Sequence, residues 1–254
     1  MNPEQPGMGQ SQPAPQQVGV SVPQTKPIIT YVILSINVFL FLIPLLFRPI
    51  IPEIDRLFDI GVKINSKIKE GQLWRLITPA FLHANLMHIA FNMYALFILG
   101  RRIESTYGHG RFLLLYLLSA LGGNVLSFVL SDPDSLGAST AIFGLLAAEA
   151  VFILQNRRLF GQRVRGMLFN IAFILLINLM FGFSANSNID NFGHLGGLLG
   201  GFIFSSLAGP KWILEGLPPN VSIKDVRTRK DVLLATALVV IGFIAMGSIR
   251  FLNQ

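Results

Sequence analysis

The segment Gly193-His194-Leu195-Gly196-Gly197-Leu198-Leu199-Gly200-Gly201 combines a histidine with two rows of glycine at four-residue spacing. Such rows of small residues let helix backbones approach closely in lipid. An earlier apolar run repeats small residues at the same interval, at Thr140, Gly144 and Ala148. The two patterns predict that these runs form helices that pack tightly against each other.

The composition is that of a membrane protein. Apolar residues make up 52% of the chain and charged residues only 13%, against about a quarter charged in soluble domains. The absence of cysteine excludes disulfides, a thiol nucleophile and a Cys-ligated metal. The net charge of +7 does not indicate nucleic-acid binding, because the basic residues lie in short loops between apolar runs, where orientation signals are found.

Seven apolar runs approach the length of about 20 residues that crosses a bilayer. They cover residues 28–47, 84–100, 112–130, 139–155, 166–183, 192–208 and 232–249. The sequence therefore predicts an all-α, polytopic membrane bundle. Its expected parts are a disordered Pro/Gln-rich tail at 1–27, a helical membrane domain at 28–208, a cytoplasmic loop at 209–231 and a further helix at 232–254.

The distribution of Lys and Arg predicts a multi-pass protein with a cytoplasmic N-terminus. The loops that would then lie inside are rich in arginine, whereas those before runs four and six contain no Lys or Arg. The first outer segment, 48–82, is an exception because it holds six basic residues. We expect it to lie along the outer leaflet as an interfacial insert. A bacterial plasma membrane is the expected location.

This topology brings polar residues to one depth, because runs two, four and six all enter from the outside. Ser139 begins run four and His194 begins run six, so the two predict a nucleophile and its base. His88 and Asn92 lie four residues apart on run two and, with the Ser139 amide, are candidate oxyanion donors. Asp190 lies in a loop, so we expect a Ser–His dyad rather than a triad.

Other readings of these residues are weaker. His83 and His88 lie five apart, and Ala84 follows His83, so the zinc-protease pattern of His-Glu-x-x-His is not present. We therefore predict no metal and no cofactor. Glu149, an acid near the inner end of run four, is expected to snorkel, pair with a basic residue or be protonated, and no chemistry is assigned to it.

Several motifs together resemble the rhomboid intramembrane serine proteases, over about residues 70–205. The matching segments, in chain order, are Trp74-Arg75, the stretch from His83 through His88 to Asn92, Gly100 to Gly108 with Glu104 between them, Gly137-Ala138-Ser139, and His194 with Gly197 and Gly201. Each motif is weak alone, but their order and spacing are specific.

The resemblance implies a six-helix core with one added helix, Ser139 as nucleophile and His194 as base. It also implies that Phe143 packs against the catalytic histidine and that His83 helps to hold the first loop. Run five and loop 184–191 would form a gate for substrates. Those substrates would be transmembrane helices with small, helix-weakening residues, cut near the outer membrane face.

Two positions depart from the family pattern. Thr140 stands where the nucleophile motif usually has Gly, and Gly193 stands where Ala is common before the histidine. The bulkier Thr140 favours a wider contact between runs four and six. Gly144 and the glycines of run six favour retention of the site.

Two other classes of function are alternatives. A non-catalytic rhomboid-like protein would bind membrane helices, but it would not need the oxyanion donors. A transporter or channel would be expected to show repeated halves, and the sequence has no convincing repeat. The expected partners are transmembrane-helix substrates and membrane lipid; the sequence leaves the oligomeric state open.

Overall fold

Long helices dominate the fold. The computed structural model of the protein describes residues 24–184, 189–216 and 221–252. The helices are α1 (Ile28–Phe47), α2 (Arg56–Gly61), α3 (Asn65–Lys69), α4 (Leu86–Tyr107), α5 (His109–Leu130), α6 (Ser139–Gln155), α7 (Arg157–Phe160), α8 (Val164–Gly182), α9 (Asn191–Ala208) and α10 (Arg229–Leu252). Short 3-10 turns occupy Pro52–Asp55, Leu73–Leu76, Thr78–Phe81 and Gly161–Arg163.

Each predicted apolar run corresponds to one long helix, and the ends of the helices have local causes. Asn85 caps α4 by accepting from the His88 amide, and Asp190 caps α9 by accepting from the Gly193 amide. Gly108 separates α4 from α5 with a φ of 75°, a conformation that glycine adopts without steric cost.

Within the described part of the chain, four stretches are long and apolar enough to cross a membrane by themselves: Ile28–Phe47, His109–Leu130, Arg157–Gly182 and Arg229–Leu252. Helix α6 is apolar but shorter, with 17 residues. The fold is thus a bundle of membrane-capable helices. That all seven long helices cross the bilayer is part of the proposal below.

The centre of the bundle is the close contact of α5, α6 and α9. A Cβ added to Gly197 would lie 2.0 Å from the Thr140 carbonyl oxygen, and one added to Gly201 would lie 2.4 Å from that of Gly144. The glycine rows therefore permit backbone contact that any side chain would prevent. The predicted tight packing of runs four and six is confirmed.

The loop 209–231 contains a β-hairpin that the sequence analysis missed. Strands β1 (Trp212–Glu215) and β2 (Ser222–Asp225) pair antiparallel, with Trp212 opposite Asp225. Asp225 accepts a 2.5 Å hydrogen bond from Arg111 on α5, and the Trp212 ring packs on Phe152 of α6. The prediction of a purely α-helical chain was therefore wrong in this segment, because tertiary contacts stabilise strands of only four residues.

Some predictions concern residues outside the described part of the chain. Residues 1–23 of the expected tail and residues 185–188 of the expected gate loop belong there. At the end of the tail, Thr25 donates its amide to the Ser105 carbonyl oxygen at 2.9 Å. The segment 48–82, which we call the first outer segment after its expected location, contains short helices and 3-10 turns.

Candidate active site

The structure brings Ser139 and His194 into hydrogen-bond contact. Ser139 is the first residue of α6, and His194 lies in the first turn of α9. The distance between His194 Nε2 and Ser139 Oγ is 2.9 Å. Although 55 residues separate them in sequence, the glycine-mediated contact of the two helices places both at the same end of the bundle.

Phe143 fixes the plane of the imidazole. It lies one turn after Ser139 on α6, and its ring stacks on that of His194 with centroids 4.0 Å apart and planes 13° apart. Both side chains are buried. The stacking and the hydrogen bond to Ser139 together restrict the rotation of the His194 ring.

His88 lies beside the backbone that precedes Ser139. Gly137 has a φ of +131°, and a Cβ at this position would lie 2.6 Å from His88 Nε2 and 3.7 Å from Ser139 Oγ. The glycine thus meets two requirements, an unusual backbone conformation and the space taken by the imidazole. The His88 imidazole thus lies against the backbone of Gly137, two residues before Ser139.

The observed hydrogen bonds of Asn92 and His83 are made to backbone groups and not to the Ser139 hydroxyl. The Asn92 amide donates to the His88 carbonyl oxygen at 3.0 Å, one turn earlier on α4. His83 Nε2 accepts from the Ala138 amide at 3.4 Å, and its ring meets that of His88 edge-on at 5.1 Å. His83 therefore links the end of the first loop to the residue before Ser139.

Trp74 and Arg75, two other residues of the family motifs, stabilise the structure around the site. Trp74 Nε1 donates to the Ile60 carbonyl oxygen at 3.0 Å, and Arg75 Nη1 donates to that of Val62 at 2.6 Å. Both contacts lie within the first loop. They tie its two halves together rather than approach Ser139.

Glu104 is buried on α4 and caps a different helix. Its carboxylate accepts from the amides of Ile29 and Thr30, at 2.8 and 2.6 Å. His109 Nδ1 lies 2.6 Å from the same carboxylate. Glu104 thus satisfies amides at the start of α1, which otherwise lack partners within the helix.

The two departures from the family pattern compensate each other. Thr140 packs in the space left by glycines on both neighbouring helices: an added Cβ would lie 2.6 Å from Thr140 Cβ at Gly123, and 3.2 Å from Thr140 Cγ2 at Gly193. Gly193 therefore makes room for the larger residue. The helix contact stays close at Thr140, whose carbonyl oxygen would lie 2.0 Å from a Cβ at Gly197, and the Ser139–His194 hydrogen bond is present.

Asp190 and Lys63 make contacts that were not predicted from the sequence. Asp190 Oδ1 accepts from the Gly193 amide at 2.8 Å, and its other oxygen meets the Ser127 hydroxyl. An Asp just before an apolar run is a helix-start signal that would have identified this cap. Among the described residues, the buried Nδ1 of His194 has no hydrogen-bond partner. Glu149 pairs with Arg102, one of the outcomes that its position predicted.

Two charged groups near the site, both outside the long helices, have shifted pKa values. Burial lowers the pKa of Lys63 from its usual 10.5, although nearby Asp190 and Asp134 oppose the shift. A hydrogen bond from the Arg250 guanidinium lowers the pKa of Asp132. Lys63 contacts the loop that leads into Ser139, and Asp132 belongs to that loop.

Comparison with known proteins shows which family this chain is similar to. The family model described as "Rhomboid domain" matches residues 70–211. The chain is 44% identical over 184 residues to "Rhomboid protease GluP" of Bacillus subtilis (strain 168), covering 72% of this chain and 35% of that protein. It is 39% identical to "Rhomboid-like protease 1" of Toxoplasma gondii, covering 63% of this chain and 55% of that protein.

A third relative is matched over more of its length. "RHOMBOID-like protein 5" of Arabidopsis thaliana is 30% identical over 221 residues, which is 80% of this chain and 69% of that protein. The chain spans from about a third to somewhat over half of the first two relatives. The match to the family model, residues 70–211, contains α4 to α9 and with them Ser139, His194, His88 and Asn92.

Proposed function

Because the chain belongs to the rhomboid family of integral membrane proteins, we propose that it is an intramembrane serine endopeptidase. Ser139 acts as the nucleophile and His194 as its base. The observation that carries the proposal is the 2.9 Å contact between Ser139 Oγ and His194 Nε2. A serine hydroxyl becomes a good nucleophile when a neighbouring base accepts its proton.

The first half of the reaction forms an acyl-enzyme. His194 Nε2 accepts the Ser139 proton while Oγ bonds to the carbonyl carbon of the scissile peptide. The tetrahedral intermediate then breaks its C–N bond, and the leaving amine takes the proton from His194. In the second half a water molecule gives a proton to His194 and attacks the ester carbon, which releases a carboxylic acid and restores the Ser139 hydroxyl.

The start of α6 suits an oxyanion. The Ile142 amide makes the first bond back into the helix, to the Ala138 carbonyl oxygen, so the amide of Ser139 has no acceptor within α6. The positive end of the helix dipole points to the same place. His88 beside Gly137 supplies a second donor. Asn92 supplies a third after its amide turns away from the His88 carbonyl oxygen.

Substrates of this chemistry are transmembrane helices. A peptide bond in a hydrogen-bonded helix must unwind before its carbonyl reaches a serine, which favours small, helix-weakening residues at the cleavage site. Helix α8 has a single buried residue, Ile171, which supports α8 as the element that moves to admit the substrate. We also propose that the chain crosses the membrane seven times and that its N-terminus is cytoplasmic. Cleavage would then occur near the outer face of a bacterial plasma membrane.

The test combines labelling with cleavage. The purified full chain is treated with a fluorophosphonate, the modified residue is mapped by mass spectrometry, and cleavage of a model transmembrane substrate is followed in liposomes. We expect modification at Ser139 and loss of both signals in Ser139→Ala and His194→Ala. Ser119→Ala is the matched control, because Ser119 is a buried serine of α5 whose Oγ has no partner among the described residues. Unchanged cleavage by Ser139→Ala would refute the assignment, and an inert wild type would favour the non-catalytic helix binder.

A further inference from the structure

Backbone hydrogen bonds join the loop that leads into Ser139 to the first outer segment. We call residues 131–138 the nucleophile loop. The Lys63 amide donates to the Ser135 carbonyl oxygen at 3.0 Å, and the Ser135 amide returns a bond to Lys63 at 3.2 Å. Closer to the site, the Gly137 amide donates to the Pro79 carbonyl oxygen at 2.9 Å. The position of Ser139 therefore depends on the first outer segment.

The side chain of Lys63 extends this connection. Its Nζ donates to the Pro133 carbonyl oxygen at 2.8 Å and lies 3.4 Å from that of Ser131. Asn65 donates to the same Ser131 oxygen at 2.7 Å. The buried ammonium group of Lys63 thus contacts two carbonyl oxygens of the nucleophile loop. An apolar side chain could not hydrogen-bond to either of them.

Keeping a charge at this position is costly. Lys63 has no exposed surface, and its lowered pKa means that folding disfavours the protonated form. Below the unfolded pKa, the lysine therefore subtracts from the stability of the fold, and this loss is removed only as pH rises toward 10.5. An apolar residue of the same size would avoid this loss, so a role in stability alone does not account for the lysine.

The last helix also holds the start of the nucleophile loop and the end of α5. Arg250 on α10 donates to the Val129 carbonyl oxygen at 2.9 Å and pairs with the Asp132 carboxylate. Its guanidinium also lies over the Phe128 ring, 5.6 Å from the centroid. Arg250 thus holds the loop at Asp132, between the two carbonyl groups that the Lys63 ammonium binds. The backbone bonds of Lys63 to Ser135 lie nearer to Ser139.

We propose that Lys63 is a positioning residue for Ser139, which it sets in place by anchoring the carbonyl groups of the nucleophile loop. The inference rests on the proposed function, since it assigns Lys63 to the nucleophile of that reaction. Lys63 touches neither substrate nor Ser139. Its effect passes through the backbone from Pro133 to Gly137, so removing it changes the rate of the chemical step more than the binding of substrate.

The experiment compares Lys63→Met with Lys67→Met in the purified full chain. Lys67 is an exposed lysine of the same segment that pairs with Glu70, so it controls for the loss of a positive charge. We expect Lys63→Met to lower kcat about tenfold or more, with KM within about twofold of the wild type. The rate of Ser139 modification by a fluorophosphonate should fall by the same factor. Lys67→Met should match the wild type, and Lys63→Arg, which keeps the cation, should recover part of the rate.

A purely structural role predicts a different result. Lys63→Met would then change the melting temperature while kcat and the modification rate stayed at wild-type values, and this result would overturn the inference. If Lys63→Met cannot be recovered folded, Asn65→Ala carries the test, because it removes another side-chain anchor of the nucleophile loop, at Ser131 and Asp132, and leaves Lys63 in place; an unchanged kcat would again count against the inference. Failure of the wild type to react at Ser139 would instead refute the proposed function itself.

Discussion

The Phe143 ring lies parallel to the imidazole of His194, 4.0 Å away, on the helix that also carries Ser139. One short stretch of α6 therefore provides both the hydroxyl and the surface that orients its partner. The hydrogen bond alone leaves the imidazole free to rotate about the Oγ–Nε2 direction. The stacked ring removes that freedom, so its loss should affect catalysis more than stability.

We expect Phe143→Leu to lower kcat about threefold to tenfold, since aromatic pairs contribute about 0.5–1.5 kcal/mol beyond burial and 1.4 kcal/mol corresponds to tenfold. The measurement is steady-state cleavage of a transmembrane substrate, together with thermal unfolding. Phe112→Leu is the control, because Phe112 is fully buried in the core and makes no contact with the dyad. Equal kcat values for the two variants would show that the stack does not orient the imidazole.

Thr140 and Gly193 should behave as a coupled pair. In Gly193→Ala the new methyl group would lie 2.8 Å from Asp190 Oδ2 and 3.2 Å from Thr140 Cγ2, so activity and melting temperature should both fall. Thr140→Gly removes one of these two contacts. We therefore expect Gly193→Ala to cost less in the Thr140→Gly background, with a coupling of about 0.5–3 kcal/mol in a double-mutant cycle.

The cycle is measured by thermal unfolding and by the rate of Ser139 modification. Additive effects of the two substitutions would mean that these positions do not compensate each other. The remaining contact with Asp190 sets the part of the loss that Thr140→Gly cannot relieve.

Glycines at the helix contact should differ sharply from glycines that face open space. Gly197→Ala places a Cβ 2.0 Å from a backbone oxygen of α6, and backbone moves only at a cost of about 1–3 kcal/mol or more. The helices should separate, which lowers both the melting temperature and the cleavage rate, the latter by more than about tenfold.

Gly242→Ala is the matched control for this prediction. An added Cβ at Gly242 on α10 meets nothing within 4 Å, and alanine favours helix by up to about 1 kcal/mol over glycine. The variant should keep wild-type activity and unfold at the same or a slightly higher temperature. Similar losses in both variants would contradict the view that α9 packs through its glycines.

Activity should fall in acid. His194 must be neutral to accept the Ser139 proton, so the rate of Ser139 modification should decrease tenfold per pH unit below the pKa of the imidazole, the slope for one proton. His88 is a second titratable group in the site and would contribute to the same profile. We therefore expect the slope to persist in His88→Asn, at a lower overall rate. Loss of the slope in that variant would move the base from His194 to His88.

The helices and the dyad were accessible from sequence for a physical reason. A bilayer requires each span to be long, apolar and internally hydrogen-bonded, so the seven runs and their polar first turns stand out. The rows of glycine at four-residue spacing indicate which helices pack against each other. These two signals are local, and together they are enough to bring Ser139 to His194.

The features that were missed depend on contacts between distant segments. The hairpin at Trp212–Glu215 and Ser222–Asp225 forms against α5 and α6, and nothing in its eight residues specifies strands. Lys63 reads as one more basic residue of a charged segment until the fold buries it. The fit between Thr140 and Gly193 likewise becomes visible only when the helices are placed side by side.

The capping of α1 by Glu104 has a consequence for how the protein is made. The amide of Ile29 and the carboxylate that receives it are 75 residues apart, so α1 leaves the ribosome long before its cap exists. Until α4 has been synthesised, the amides at the start of α1 lack this acceptor. The amides at the start of α1 therefore gain this carboxylate partner only when α1 and α4 associate.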